Sequence, residues 1–282
     1  MISASAAPAQ SADAAQVDRI WAELTGKCQL ECTHCYAQSG PSGSHGKMTG
    51  QHWMNLVDDA RELGASMVQF IGGEPTLHPQ FPAILRHAID AGIEVEVYTN
   101  LVHVTGEVWE LLTAPNVSLA FSYYSSEPAR HNAVTMRSSH AATRRNAAKA
   151  VSLGIPIRAG VIDTGADQVS GAVEDLHALG ITRIGTDRVR AIGRGGGNDI
   201  AELCGRCGHG VAAVSPDGDV WPCIFSRWMP VGNILASPLA EIMAGRAMAD
   251  AVASIPGGRR AICEPDQQCS PGSPPSSCRP RT

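Results

Sequence analysis

The chain has 282 residues, 44% of them apolar, with a formal charge of −5 and an isoelectric point near 6.0. That length suits one large α/β domain with a small appendage. The mildly acidic balance argues against nucleic acid or an anionic membrane as the main partner. No run is long and apolar enough to span a bilayer, and the chain is expected to be cytoplasmic.

Residues 1–17, opening MISASAAPAQSADAAQ, are small, polar and interrupted by proline. They lack the basic stretch and apolar run of a secretory signal and read as a disordered arm. Residues 20–25 read as a strand. Thr49 can cap a helix whose apolar face, Trp53, Leu56, Val57, Ala60 and Leu63, has helical spacing and stops at Gly64. Residues 67–71 are a buried-strand run, 79–91 a helix stopped by Gly92, and 93–98 an alternating strand. A helix over 105–113 and a strand over 117–122 follow. Then come a helix over 139–153 stopped by Gly154, a strand over 155–162, a helix over 167–179 stopped by Gly180, and a strand over 181–189. Such alternation implies a parallel sheet, because parallel neighbours need a crossover. Six units suit a partial (βα)6 TIM-like barrel, with its chemistry at the C-terminal ends of the strands. The stretch GRGGGND, residues 193–199, signals a linker. It divides a barrel over 18–195 from a cysteine-rich extension over 196–282. In the extension, VAAVSPDGDVWPC reads as a hairpin turning at Pro216, Asp217 and Gly218, and residues 238–253 read as helical. The tail CEPDQQCSPGSPPSSCRP cannot build a core and calls for a staple.

The nine cysteines fall in two groups, at 28, 32 and 35 and at 204, 207, 223, 263, 269 and 278. In a reducing cytosol such clusters are metal ligands more often than disulfides. Cys28-x3-Cys32-x2-Cys35 gathers three thiols. A structural zinc wants a fourth ligand, which His34 or His45 could supply. A four-iron cubane instead takes three cysteines and leaves one iron open to a cofactor. Gly72-Gly73-Glu74-Pro75 follows the second strand. Its glycines allow a backbone to approach a ligand and Glu74 can accept from an ammonium group, although the segment alone is also an ordinary turn.

Taken together, the CQLECTHCYAQSG loop and GGEP resemble the radical S-adenosylmethionine (SAM) superfamily, over residues 18–195. The family's loop is Cys-x3-Cys-x-aromatic-Cys; here His34 fills the aromatic slot and Tyr36 lies just beyond. The resemblance implies a [4Fe–4S] cluster whose open iron chelates SAM. It also implies an electron supplied by a flavodoxin- or ferredoxin-type reductant, and cleavage of SAM to a 5′-deoxyadenosyl radical. It implies a SAM-ammonium site at Gly72, Gly73, Glu74 and Pro75, further contacts from Asn100 and Ser122, and a carboxylate partner in Arg158. On their own these three read equally as a turn residue, a strand-end cap and an ion-pair member. Of the family's adenine segment, AGVIDTGADQ keeps only Val161 and Ile162.

The spacing from Cys207 through Gly218 to Cys223 resembles the opening of a SPASM or twitch extension, which implies auxiliary iron–sulfur clusters. The chain departs from the full pattern, ending on Cys263-x5-Cys269-x8-Cys278. One auxiliary [4Fe–4S] cluster on Cys204, Cys207 and Cys223, closed by a tail cysteine, is expected. A second, open cluster and uninvolved tail thiols are the alternatives, and His209 reads as a loop residue. Arg188, Arg190 and Arg194 read either as a grip for an acidic peptide or as a solvated basic edge. The relatives resembled are peptide maturases, so oxidative modification of a ribosomal peptide by crosslinking is the expected activity. No peptide-recognition domain is visible, so leader binding falls to the barrel or to a separate protein. The barrel has no cysteine outside the cluster loop to return a hydrogen atom, which disfavours epimerisation. Dehydrogenation of a sugar or alcohol is the rival activity, and an iron–sulfur carrier or scaffold the non-enzymatic one.

Overall fold

The computed structural model describes residues 17–165 and 168–256. From the N-terminal side, the chain runs β1 (Arg19–Glu23), α1 (Gly50–Glu62), β2 (Met67–Ile71), α2 (Phe81–Asp90), β3 (Glu94–Tyr98), α3 (Gly106–Leu111) and β4 (Val117–Tyr123). It continues through α4 (Pro128–Thr135), α5 (His140–Ser152), β5 (Ile157–Asp163), α6 (Val169–Ala178) and β6 (Arg183–Arg188). Beyond lie β7 (Ile192–Gly193), β8 (Gly197–Asn198), β9 (Val211–Val214), β10 (Asp219–Trp221), β11 (Gly232–Asn233), α7 (Leu239–Ala244) and α8 (Arg246–Ser254).

Local chemistry sets the element ends. Thr49 and His52 form a reciprocal cap on α1: the hydroxyl accepts from the His52 N–H, and the His52 ring accepts from the Thr49 N–H. Gly64, Gly92, Gly154 and Gly180 all adopt left-handed φ just past a helix, where a Cβ would be strained.

Strands β1 to β6 are parallel and lie side by side in chain order. Every crossover therefore runs the same way round, which winds the sheet as a barrel wall instead of reversing it as in doubly wound folds. Side chains alternate. Ile20, Val68, Phe70, Val95, Val97, Leu119, Phe121 and Val161 belong to the main apolar core with α1, α2, α5 and α6. The intervening residues, among them Gln69, Glu96, Tyr98, Ser122, Arg158 and Ile162, are left for the other face, the barrel interior.

Four features differ from the sequence expectation. Helix α4 was not anticipated, because PARHNAVT carries no apolar stripe. The helical stretch near 238–253 is split in two at Gly245, whose extended backbone caps α8. The glycine-rich stretch at 193–199 is no open linker: β7 and β8 pair there as a hairpin. The β9–β10 hairpin does turn where expected, but β9 also pairs in parallel with β1, so the main sheet runs β11-β10-β9-β1 and on to β6. A short apolar VAAV run gives no sign of which strand it will join.

Candidate active site

The ends of the strands and the loops beyond them enclose an open cavity. Cys28, Cys32 and Cys35 all border it, with the backbone of Gly72 and Gly73 and the side chains of Asn100 and Ser122. The cysteine loop is folded by its own backbone: Cys28 N–H donates to the Gly40 carbonyl (3.0 Å), Cys35 to Cys32 (3.2 Å) and Gln38 to Cys35 (3.1 Å). The Cys28 sulfur also accepts from the Leu30 N–H (3.4 Å) and Asn100 Nδ2 (3.6 Å). Burial, aided by the Glu74 carboxylate, pushes the Cys28 thiol up to about 12. Burial and the neighbouring Cys35 push Cys32 to about 11. Ligation at these sulfurs must therefore release protons.

Gly72 and Gly73 are required for close approach. At Gly72 φ is 137°, and a Cβ on Gly73 would stand 2.4 Å from the Lys27 carbonyl oxygen. Glu74 differs from expectation. It is fully buried, is absent from the cavity lining, and spends its carboxylate on the chain itself. Its Oε1 accepts from Thr76 N–H (3.1 Å), Thr76 Oγ1 (2.7 Å) and Thr99 Oγ1 (2.7 Å), and its Oε2 from Asn100 N–H (2.8 Å). Burial raises its carboxyl above the ordinary range against the pull of these donors. Pro75 is buried and starts the short 3-10 turn that follows.

Arg158 also differs. Its guanidinium forms a bidentate bond to Glu96 at 2.7 Å inside the barrel, with both side chains buried. Burial alone would raise the Glu96 carboxyl, yet Arg158 holds it at about 2. Arg158 lies over the Tyr98 ring, whose hydroxyl bonds Ser122 Oγ (3.0 Å) and lines the cavity. Neither Arg158 nor Glu96 is among the residues lining the cavity. The three arginines at the end of β6 and just after it are engaged too. Arg188 pairs with Glu202 (2.8 Å), buried Arg190 with Asp187 (3.1 Å), and Arg194 with loop carbonyls. All three also line the cavity.

His34 lines the cavity edge-on to Tyr124, with its Nδ1 buried and without a partner. His45 lies outside the lining, bonded to Thr25 Oγ1 (2.9 Å). Among the described residues, no three His, Cys, Asp or Glu side chains converge tightly enough for a single ion. Three thiols spread around one open cavity suit a multi-iron group better than a closed zinc site. Sequence reasoning missed His131 on α4, which is 1% exposed, lines the cavity and has an unpartnered Nδ1.

The second cysteine set gathers around the β9–β10 hairpin. A Gly208 N–H to Pro222 carbonyl bond (2.8 Å) joins the residues flanking Cys207 and Cys223. The Cys207 thiol is hydrogen-bonded to both Cys204 and Cys223. That sharing draws Cys204 down and drives Cys207 up. Cys207 and Cys223 are buried with Trp21, Ile71, Trp221 and Phe225 in a second apolar cluster. Cys263, Cys269 and Cys278 lie outside the described residues.

A parallel barrel wall with three thiols and a glycine turn at its strand ends defines a class. The radical SAM superfamily model matches residues 22–184, and the SPASM model, an iron–sulfur cluster-binding domain, matches residues 203–271. The chain belongs to the radical SAM superfamily. It is an enzyme of that family, with SAM and a [4Fe–4S] cluster as cofactors and a SPASM segment for auxiliary iron–sulfur clusters. It is 26% identical over 267 residues to PqqA peptide cyclase of Streptomyces rochei, covering 78% of this chain and 73% of that protein. A more local match, 35% over 95 residues, is to AdoMet-dependent heme synthase of Methanosarcina barkeri; it covers 34% of this chain and 27% of that protein. The fold is similar to that of Streptococcus suis SuiB bound to precursor peptide SuiA, with a TM-score of 0.73 and 14% identity, over 88% of this chain and 68% of that one. No described helix is long and apolar enough to cross a membrane.

Proposed function

We propose that the chain is a radical SAM peptide maturase that oxidatively modifies a ribosomally made peptide by forming a crosslink within it. The observation that carries this reading is the convergence of three thiols, the Gly72–Gly73 backbone, Asn100 and Ser122 on one cavity at the strand ends. The similarity to a peptide cyclase over 78% of this chain and the fold similarity to a protein solved with its precursor peptide support a peptide substrate.

In this reading residues 18–195 hold SAM and its cluster, and residues 196–282 hold the auxiliary group. Cys28, Cys32 and Cys35 ligate three irons and leave the fourth free of protein ligands. A cluster held there and reduced by a flavodoxin- or ferredoxin-type partner would supply the electron for reductive cleavage of SAM. The chain's own work is positional. Gly72 and Gly73 let the backbone border the cofactor, while Glu74 fixes the turn from behind through Thr76, Thr99 and Asn100. Asn100 and Ser122 offer polar contacts, and His34 adds an unpartnered ring nitrogen. Leu30, Ile71, Ile162 and Phe225 keep the surroundings apolar, which protects a reactive intermediate from water. Cys204, Cys207 and Cys223, with one tail cysteine, would hold an auxiliary cluster, which would supply an electron acceptor.

The test is anaerobic protein reconstituted with iron and sulfide, then given SAM, dithionite and a library of synthetic peptides. 5′-Deoxyadenosine and a peptide short by two hydrogens are expected. A D-residue at unchanged mass would overturn crosslinking, and no 5′-deoxyadenosine from iron-replete protein would favour an electron carrier.

A further inference from the structure

The segment between the barrel and the second cysteine set touches both cysteine sites. Arg194 sits in the tight connection between β7 and β8. Its N–H donates to the Cys35 carbonyl (3.1 Å), its Nε to the Cys32 carbonyl (2.8 Å) and its Nη2 to the Ser39 carbonyl (2.7 Å). One residue thus gathers three carbonyls of the first cysteine loop. Gly193 makes the approach possible. Its φ is 58°, and a Cβ there would stand 2.3 Å from the Tyr36 carbonyl oxygen. The sequence beneath, AQSGPSGSHG at 37–46, is rich in glycine and serine and costly to order, so fixed donors matter there.

The same segment is rooted in the second site. Ile192 and Leu203 are buried in one cluster with Cys207, Cys223 and Phe225. Arg190 donates to the Glu202 carbonyl (2.7 Å), two residues before Cys204, and lies 5.0 Å over the Phe225 ring. The Phe225 N–H in turn donates to the Cys223 sulfur (3.4 Å).

We infer that Arg194 is a positioning residue for the Cys28–Cys35 loop, and that residues 190–203 form a strap making the order of that loop depend on assembly of the second cysteine set. This rests on reading Cys28, Cys32 and Cys35 as iron ligands. A guanidinium that bonds two carbonyls with a fork cannot be replaced by the point charge of lysine, so Arg194→Lys should restore only part of the effect.

The experiment uses the full chain reconstituted with iron and sulfide. It follows iron release to a ferrous chelator, together with the electron paramagnetic resonance signal that shifts when SAM is added. Arg194→Ala is expected to speed loss of the SAM-responsive signal about tenfold or more, as the loss of charge-assisted bonds implies. Arg194→Lys should fall between. Cys223→Ala should speed the same loss in the wild-type background and add little in the Arg194→Ala background. Melting curves check that each variant is folded; should Arg194→Ala not fold, Arg194→Gln and Arg194→Lys carry the comparison. A wild-type release rate in folded Arg194 variants overturns the positioning role. Effects of Arg194→Ala and Cys223→Ala that simply multiply overturn the coupling. Wild-type protein that shows no SAM-responsive iron overturns instead the ligand reading on which the strap depends.

Discussion

Glu74 shows how a motif residue can matter without reaching what the motif holds. Its two oxygens accept four bonds from Thr76, Thr99 and Asn100, so it holds the turn together. Glu74→Gln keeps the shape and loses the charge. We expect a melting temperature lower by about 4 °C and SAM binding weaker by about tenfold; unchanged binding by calorimetry in folded protein would show the carboxylate to be dispensable. Gly73→Ala must drive a methyl into the Lys27 backbone, and should cost about 1–3 kcal/mol in denaturant titrations. The two cysteine sets should separate in assays. Cys32→Ala is expected to abolish 5′-deoxyadenosine formation, whereas Cys223→Ala should leave some uncoupled formation and lose the peptide product; equal loss of both activities would contradict separate roles.

At the scale of elements, β3 and β5 are joined by an ion pair sealed inside the barrel. Removing one partner strands the other, so Glu96→Ala should destabilise the fold by about 3–5 kcal/mol. Replacing both with apolar residues, Glu96→Leu with Arg158→Met, should recover much of that loss and leave SAM affinity nearly unchanged. A large loss of affinity in the folded double variant would mean that Arg158 reaches the ligand after all. The same pair marks the limit of what the sequence discloses. Alternation within EVEVY told which residues share a face, and terminal glycines told where helices stop. The Cys-x3-Cys-x2-Cys loop and GGEP identified the cavity wall. Whether Arg158 faces a ligand or Glu96 depends on register between strands two crossovers apart, which no local pattern encodes. Helix α4 was invisible for a related reason: its buried positions are His131 and Thr135, polar residues held by packing from β4 and α5 instead of by an apolar stripe. The Arg194 contacts were hidden because a glycine-rich stretch that reads as a spacer can equally fold back.

For the whole molecule, acid sensitivity follows from buried neutral histidines. Burial lowers His131 and His78 from 6.5 to about 4. The unfolded chain therefore binds these protons first. The stability such groups contribute is complete above about pH 6.5, and it falls as pH drops toward 4. The loss for His131 is on the order of 3 kcal/mol at its fullest. Melting temperatures should decline over that window, and His131→Phe should flatten the decline; an unchanged slope would show that His131 titrates normally. The pairing of β9 with β1 has a wider consequence. Composition draws a boundary near residue 195, yet β9 beyond it satisfies backbone groups of β1, and Leu203, Ala213, Trp221 and Phe225 beyond it pack in the cluster that buries Trp21 and Ile71. A truncation there would bare a sticky flank of unpaired amides and aromatic surface, and the shortened protein should come out of the cell as inclusion bodies. The two halves cannot be traded like modules: whatever follows the catalytic barrel must also bring it a strand.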